Sequence, residues 1–352
     1  MNKKFLSLAV AAAMAAPMAA QAQDVTIYGL AHVAISSYDV EAGDNAGNDY
    51  WDIASHQSRL GIKGSEDLGN GLKAIFKIEW QVSMADDGAN SAQVGATGEG
   101  AFRNMRNSYV GLAGDWGTVL LGRHDTPYKM SRIKLDLFGG QLGDYNNNGT
   151  GGAAPGGEVA FADVRSDNTI VYVSPNMNGF TLAAAAVNTG SATTTVAAAT
   201  GTSANDLAEG VSVAAMYSNG PFFASVGYED LSDNMMGAVG TNNGQEKVSL
   251  GLGYTANNFH VGFVYEDQDI NGANNDNERM MLNGSYTFGN NVVKAQWMEL
   301  DAQAANGDVD KWAIGLDHNM SKRTKVYAVY ADSDTQNGND WSGFSAGMVT
   351  KF

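Results

Sequence analysis

The chain has no cysteine and only 5 prolines, and its 21 lysines and arginines are outnumbered by 38 aspartates and glutamates, for a formal net charge of −17. Without cysteine there is no disulfide framework, no thiolate metal or iron–sulfur centre and no cysteine nucleophile. The scarcity of basic residues argues against a nucleic-acid binder, because phosphate backbones are held by clustered Lys and Arg. Long apolar runs are missing as well. Past the N-terminus the best stretch is Phe180 to Val187, far short of the roughly 20 residues that a membrane helix needs. None of the five histidines (His32, His56, His124, His260, His318) belongs to an H-E-x-x-H pattern, so no catalytic role is assigned. Charged residues make up 17% of the chain, below the roughly 25% usual in soluble domains, whereas glycine is abundant at 43 residues. Few charges and much glycine without a long apolar run point to many short strands.

The first 22 residues read as a leader. Lys3 and Lys4 form a positive start, Phe5 to Ala16 an apolar segment, and Ala20-Gln21-Ala22 an A-x-A cleavage site, so the expected division is a signal peptide over 1–22 and a single β-barrel over 23–352.

Beyond the leader the chain alternates. Leu72, Ala74, Phe76, Ile78, Trp80 and Val82 share one parity, and Lys73, Lys77, Glu79 and Gln81 the other. The same period of two returns in Val248 to Tyr254, Phe259 to Tyr265, Met280 to Phe288 and Phe344 to Phe352. Short turn signals at 68–71, 114–117, 175–179, 219–221, 256–258, 289–291 and 320–322 alternate with longer Asp-, Asn- and Gly-rich connections. Together they bound sixteen strands, with one short and one long rim, the pattern of an all-β antiparallel outer-membrane barrel. Closure removes the sheet edges and satisfies backbone polar groups in lipid. Tyr28, Trp80, Tyr109, Trp116, Tyr172, Tyr217, Tyr228, Tyr254, Phe288 and Trp312 are expected near strand ends, as aromatic girdles. A soluble sandwich is the alternative, but it has no use for so many asymmetric hairpins. The connection between Arg123 and Arg165 is out of scale; its physical use in a wide barrel is to fold inward and narrow the channel.

Several segments then resemble Gram-negative general porins. Gln57 to Leu72 is similar to the second strand, turn and third strand of that family, Arg106 to Leu112 and Gly117 to Arg123 to its fourth and fifth strands, and Arg165 to Pro175 to the segment leaving its constriction loop. Val25 to Gly29 fits the opening strand, and Phe352 the C-terminal aromatic by which such barrels are recognised for assembly. The resemblance covers the whole chain after the leader. It implies a homotrimer of sixteen-stranded barrels in the outer membrane of a Gram-negative bacterium, meeting lipid and lipopolysaccharide and passing small hydrophilic solutes and ions without a cofactor. It also implies a basic wall facing acids on the inward loop. Arg59 and Arg106 hold the matching wall positions, Arg165 is a third candidate, and Lys63, Lys73 and Lys77 extend the wall. Asp136-Leu137-Phe138-Gly139-Gly140 resembles the family's P-E-F-G-G loop motif, with Leu137 where the acid belongs, so Asp136 and Asp144 are the candidate loop acids, Glu158 and Asp163 being further options.

Asp267, Asp269, Asn271 and Glu278 satisfy the D-x-[DN]-x-[DN]-G-x5-E pattern, and oxygen ligands so spaced suit calcium. Strands rather than helices flank them, which leaves weak divalent binding at the outer rim, or none. The other acids mostly populate long connections, suiting a water-facing rim or divalent bridging to lipopolysaccharide. The expected function is a passive diffusion channel, weakly cation-selective because an acidic mouth enriches cations. A channel selective for sugars or organic ions, and a surface β protein without a pore, are the alternatives.

Overall fold

The computed structural model describes residues 24–41, 49–85, 102–146, 159–161, 163–188, 207–231, 245–270, 276–304, 307–336, 338 and 340–352. The expected leader, Glu158 and Asn271 lie outside the described residues. The strands are β1 (Asp24–Val40), β2 (Tyr50–Ser55), β3 (Arg59–Gly69), β4 (Leu72–Val82), β5 (Phe102–Met105), β6 (Ser108–Gly114), β7 (Gly117–Asp125), β8 (Arg165–Val173) and β9 (Phe180–Val187). They continue as β10 (Gly210–Asn219), β11 (Phe222–Leu231), β12 (Gln245–Ala256), β13 (Phe259–Ile270), β14 (Asn277–Phe288), β15 (Asn291–Ala302), β16 (Val309–Asn319), β17 (Thr324–Thr335) and β18 (Trp341–Lys351). A short helix α1 (Pro127–Arg132) and a 3-10 turn (Ile133–Leu135) follow β7.

All 18 segments belong to one antiparallel sheet, and β1 pairs with β18, so the sheet is closed. Two pairs of segments are single staves with a break: β2 and β3 both pair with β1, and β5 and β6 both pair with β4. Sixteen staves result, as the alternation anticipates. Closure runs to the last residue: Gly29 and Phe352 exchange both backbone hydrogen bonds, at 3.0 and 3.2 Å. A Cβ on Gly29 would lie 2.3 Å from the Phe352 ring, which is why glycine stands there.

The short turns take the conformations that tight hairpins need. Asn257 and Asn258 both have positive φ, as do Asn70 and Gly71, the type I′ signature whose twist matches that of paired strands. Each strand then divides its residues between two solvents. Val248, Leu250, Leu252 and Tyr254 on β12, and Trp312, Ile314 and Leu316 on β16, are exposed on the outer face. The intervening Lys247, Ser249, Lys311 and Asp317 are buried inside the barrel. A charge of either sign is costly on the lipid face and cheap on the other. Trp116, Tyr172, Tyr254, Phe288 and Trp312 do lie exposed on the outer surface. Tyr28 and Tyr109 do not: Tyr28 donates to Glu79 and Tyr109 packs with the buried cluster of Leu120, Val171 and Ala185, so both belong to the inner face.

The barrel is filled on one side by the described part of the long connection. Thr126 accepts from the Lys129 N–H as the N-cap of α1, with Pro127 in the first turn. From there the chain packs along the inner faces of β10 to β18. Tyr128 N–H donates to Ser212 (3.0 Å), Asn283 to the Leu135 carbonyl (2.6 Å), Lys294 to the Leu137 carbonyl (2.8 Å) and Gln296 to the Gly143 carbonyl (2.7 Å). Phe138 is fully buried in a cluster with Tyr38, Leu142, Ala313, Val329 and Trp341.

Candidate functional site between the long connection and the wall

The side of the barrel that this segment leaves free is built by β3 to β8, and three irregularities coincide there. Gln57, in the break between β2 and β3, has a φ of +54°. The break between β5 and β6 falls at Arg106–Asn107, and the register of β7 against β8 shifts between Gly122 and His124. Such breaks re-aim side chains at the cost of ladder bonds. Here they turn Gln57, Arg106 and Asn107 toward the interior.

Asn107 organises the wall. Its amide donates to Asp125 Oδ2 at 2.8 Å, and its oxygen accepts from the Asp125 N–H at 3.1 Å and from Arg165 Nε at 2.8 Å. Asp125 in turn faces Arg165 at 3.0 Å and Lys129 at 3.4 Å. Glu79, beside it on β4, is only 5% exposed and accepts from Tyr28 (2.7 Å) and Arg106 (2.9 Å), with Lys77 at 3.1 Å. Across the gap stand Asp136 and Asp144. A cavity of about 200 Å³ lies between, lined among others by Arg106, Lys129, Asp136, Asp144 and Arg165.

Of the residues expected to meet here, Arg106, Arg165, Asp136 and Asp144 therefore do. Arg59 lies on the same inward row of β3, opposite Gln81, and makes no ion pair among the described residues. Lys63 and Lys77 are register partners flanking the Tyr28 ring at 5.4 and 5.6 Å, one step towards the short turns. Lys73, opposite Asp67, sits next to the turn itself, away from the narrow region. Phe138, Gly139 and Gly140 form the tip of the inward segment. Phe138 anchors it, and Gly140, at φ +72°, abuts His32, where a Cβ would lie 3.2 Å from the imidazole.

The loop acids are less available than their positions suggest. Asp144 is 1% exposed; its oxygens accept from the N–H groups of Gly140 (2.5 Å) and Asn146 (2.7 Å) and from Gln57 (3.2 Å). Asp136 caps the Phe138 N–H at 2.8 Å, and desolvation together with neighbouring Asp144 raises its carboxyl well above the usual aspartate range. Asp163 is taken up by Arg132, at 2.6 Å, by Asn146 and by the Tyr145 hydroxyl. Arg132, fully buried, also pairs with Glu266, which accepts from Tyr128 (2.8 Å) and Arg279 (3.0 Å). Glu79, Asn107, Gln57 and the Arg132 anchor were all missed by sequence reasoning. Only Glu79 carried a signal, its inward parity between Lys77 and Gln81.

Two other motifs resolve differently. Asp267 and Asp269 lie within β13, and Glu278 on β14 is the register partner of Asp267. Two of the pattern's acids are thus cross-strand partners, Asn271 lies outside the described residues, and among the described residues no group of three or more acids or histidines could hold a metal. Gly343-Phe344-Ser345-Ala346-Gly347 spells G-x-S-x-G, which sequence reasoning passed over. It runs through β18 with Ser345 accepting from Ser36 at 3.0 Å, and no strand-to-helix turn exposes the hydroxyl as a nucleophile.

Comparison with known proteins accords with this architecture. The family model described as "Gram-negative porin" matches residues 7–338. Outer membrane porin protein 32 of Delftia acidovorans is 30% identical over 339 residues, covering 93% of this chain and 88% of that one. Major outer membrane protein P.IB of Neisseria gonorrhoeae is 35% identical over 142 residues, 39% of this chain and 36% of that protein. Among solved structures, an anion-selective porin from Comamonas acidovorans superposes with a TM-score of 0.73 at 25% identity, covering 94% of this chain and 100% of its own. OmpT of Vibrio cholerae in a trimer form shares the fold, with a TM-score of 0.61 at 16% identity over 94% of this chain and 100% of its own.

Proposed function

Because this chain belongs to the Gram-negative porin family and is an outer-membrane channel rather than an enzyme, we propose that it passes small hydrophilic solutes by diffusion and favours anions at its narrowest part. The observation that carries this is the imbalance of charge along the inner wall. Glu79, Asp125, Asp163, Glu266 and Asp317 each face two basic groups or a fully buried arginine. Arg59 beside the narrow region, and Lys63, Lys73 and Lys134 on the way to the short turns, make no ion pair among the described residues, so they add positive charge along the path of a passing ion. The cation preference expected from the acidic long connections counts for less at the narrow region, because charge more than about 8 Å away is screened at physiological salt. The anion selectivity of the Comamonas porin supports the same reading. With it go a homotrimer, which heat-modifiable gel migration tests, and removal of residues 1–22 on export.

Reversal potentials across a potassium chloride gradient decide the matter. The unmodified channel should prefer chloride. Replacing both Arg106 and Arg165 by glutamine removes one of the two basic partners of Glu79 and of Asp125, leaving Lys77 and Lys129, and should shift the potential towards cations. Cation preference in the unmodified channel would refute the proposal.

A further inference from the structure

Below the narrow region, towards the short turns, the lumen has a second cavity of about 380 Å³ whose chemistry differs from that of the first. Met130 and Ile133 of the inward segment form one side; Val173, Thr181 and Met216 of β8, β9 and β10 form the other. Ile133 is 46% exposed, an apolar side chain presented to the water of the channel. Lys134 stands at the edge, exposed, with its ammonium 5.7 Å from the Phe223 ring and no ion pair among the described residues. No carboxylate lines the cavity. For a channel that only conducts water and small ions these features have no use. Exposed Ile133 and half-buried Met130 and Met216 weaken hydration of the wall, and Arg59 and Lys63 already supply positive charge elsewhere.

We infer that this cleft is a binding subsite for amphipathic organic monoanions, in which the apolar body of the solute packs against Met130, Ile133, Val173 and Met216 and its carboxylate meets Lys134. Its volume falls within the usual range of small-ligand pockets, about 300–1,000 Å³, in which a few polar groups orient a mostly apolar contact. The charge complementarity is one-sided: a single cation and no acid favour one negative group, and disfavour a cationic or zwitterionic solute of equal size. Binding next to the narrow region would raise the local concentration of such anions and carry them through in preference to equally sized neutral compounds. The inference rests on the chain acting as a channel, and it deepens that reading by naming a solute class.

Single-channel currents of the full protein in a planar bilayer test it, with phenylacetate as probe and potassium chloride as carrier. Phenylacetate should interrupt the chloride current. Acetate has the charge without the body, and 2-phenylethanol the body without the charge; each should need roughly tenfold higher concentration, the worth of one charged contact or of one buried side chain. Lys134→Met should weaken the phenylacetate block about tenfold and leave the phenylethanol effect in place. Ile133→Asn should weaken both. Open-channel conductance in the same traces reports that each variant has folded. Equal block by acetate and phenylacetate, or a block insensitive to both substitutions, would overturn the subsite. Absence of any channel would instead overturn the porin reading, and cation-preferring channels that phenylacetate still blocks through Lys134 would overturn only the anion preference.

Discussion

Asp136 sits at the narrow region, yet burial of its carboxyl and the proximity of Asp144 both favour its neutral form. A carboxylate whose affinity for protons is raised is uncharged at acid pH and gains its charge only as pH climbs through that raised value. Anion preference should accordingly be greatest at low pH and decline as Asp136 ionises, later than an ordinary aspartate would. Reversal potentials over a pH series should show this decline in the unmodified channel and lose it in Asp136→Asn, which should keep the low-pH selectivity throughout. Arg106 and Arg165 were legible from the sequence because each stands in a recognisable strand segment. Asn107 and Gln57 were not, since their roles come from breaks in the staves. The positive φ of Gln57 leaves no mark in composition or periodicity, and a break is visible only once the neighbouring strands fix the register.

At the scale of elements, the inward segment is held less by its own structure than by one buried guanidinium. Arg132 is fully enclosed between Asp163 and Glu266, and a second layer of Tyr128, Tyr145, Asn146 and Arg279 surrounds the pair of carboxylates. Removing one partner from such a set leaves a buried charge without compensation, at a cost of about 3–5 kcal/mol. Arg132→Met should therefore loosen the segment without opening the barrel, whose ladder does not pass through it. The expected result is larger and noisier single-channel conductance, with unchanged heat-modifiable migration. Glu266 keeps Arg279 at 3.0 Å, so Asp163, left with Lys129 at 4.0 Å, is the carboxylate that loses its short ion pair; adding Asp163→Asn should recover part of the quiet state. The staves themselves were legible by their alternation, and six of the seven short turns by their Asn and Gly residues, the turn at 320–322 carrying neither. The inward course of the segment was expected only from its length and the family resemblance. Nothing in its own periodicity announces the contacts with Asn283, Lys294 and Gln296, which lie more than 140 residues away.

Across the whole molecule, the proposed anion preference runs against the net charge. The chain carries −17, yet Arg59, Lys63, Lys73 and Lys134 make no ion pair among the described residues. Which of the two a permeating ion feels depends on how far fields reach. The Debye length is about 30 Å at 0.01 M salt and about 8 Å at 0.15 M. Acidic charge lying between those two distances acts at the narrow region in the first case and is screened from it in the second. Anion preference should increase when salt is raised from about 0.01 to 0.15 M, the reverse of what a single fixed site would give. Constant or falling preference over that range would mean that the mouth contributes nothing. The sequence supplied the total charge but not its segregation, which depends on where each strand sends its side chains.

The inward segment docks on β10 to β18 and leaves β3 to β8 as the free wall, so the open path lies off centre. That asymmetry separates two kinds of selection acting on one gene product. Substitutions in the C-terminal staves disturb the seat of the segment and are constrained by packing. Those on the inner rows of β3, β4, β6 and β7 change what passes while leaving the seat alone. Diversity in permeability can therefore accumulate largely in one contiguous stretch of coding sequence, and exchanging residues 59–125 together with Arg165 between two such barrels is expected to carry the ion preference with it.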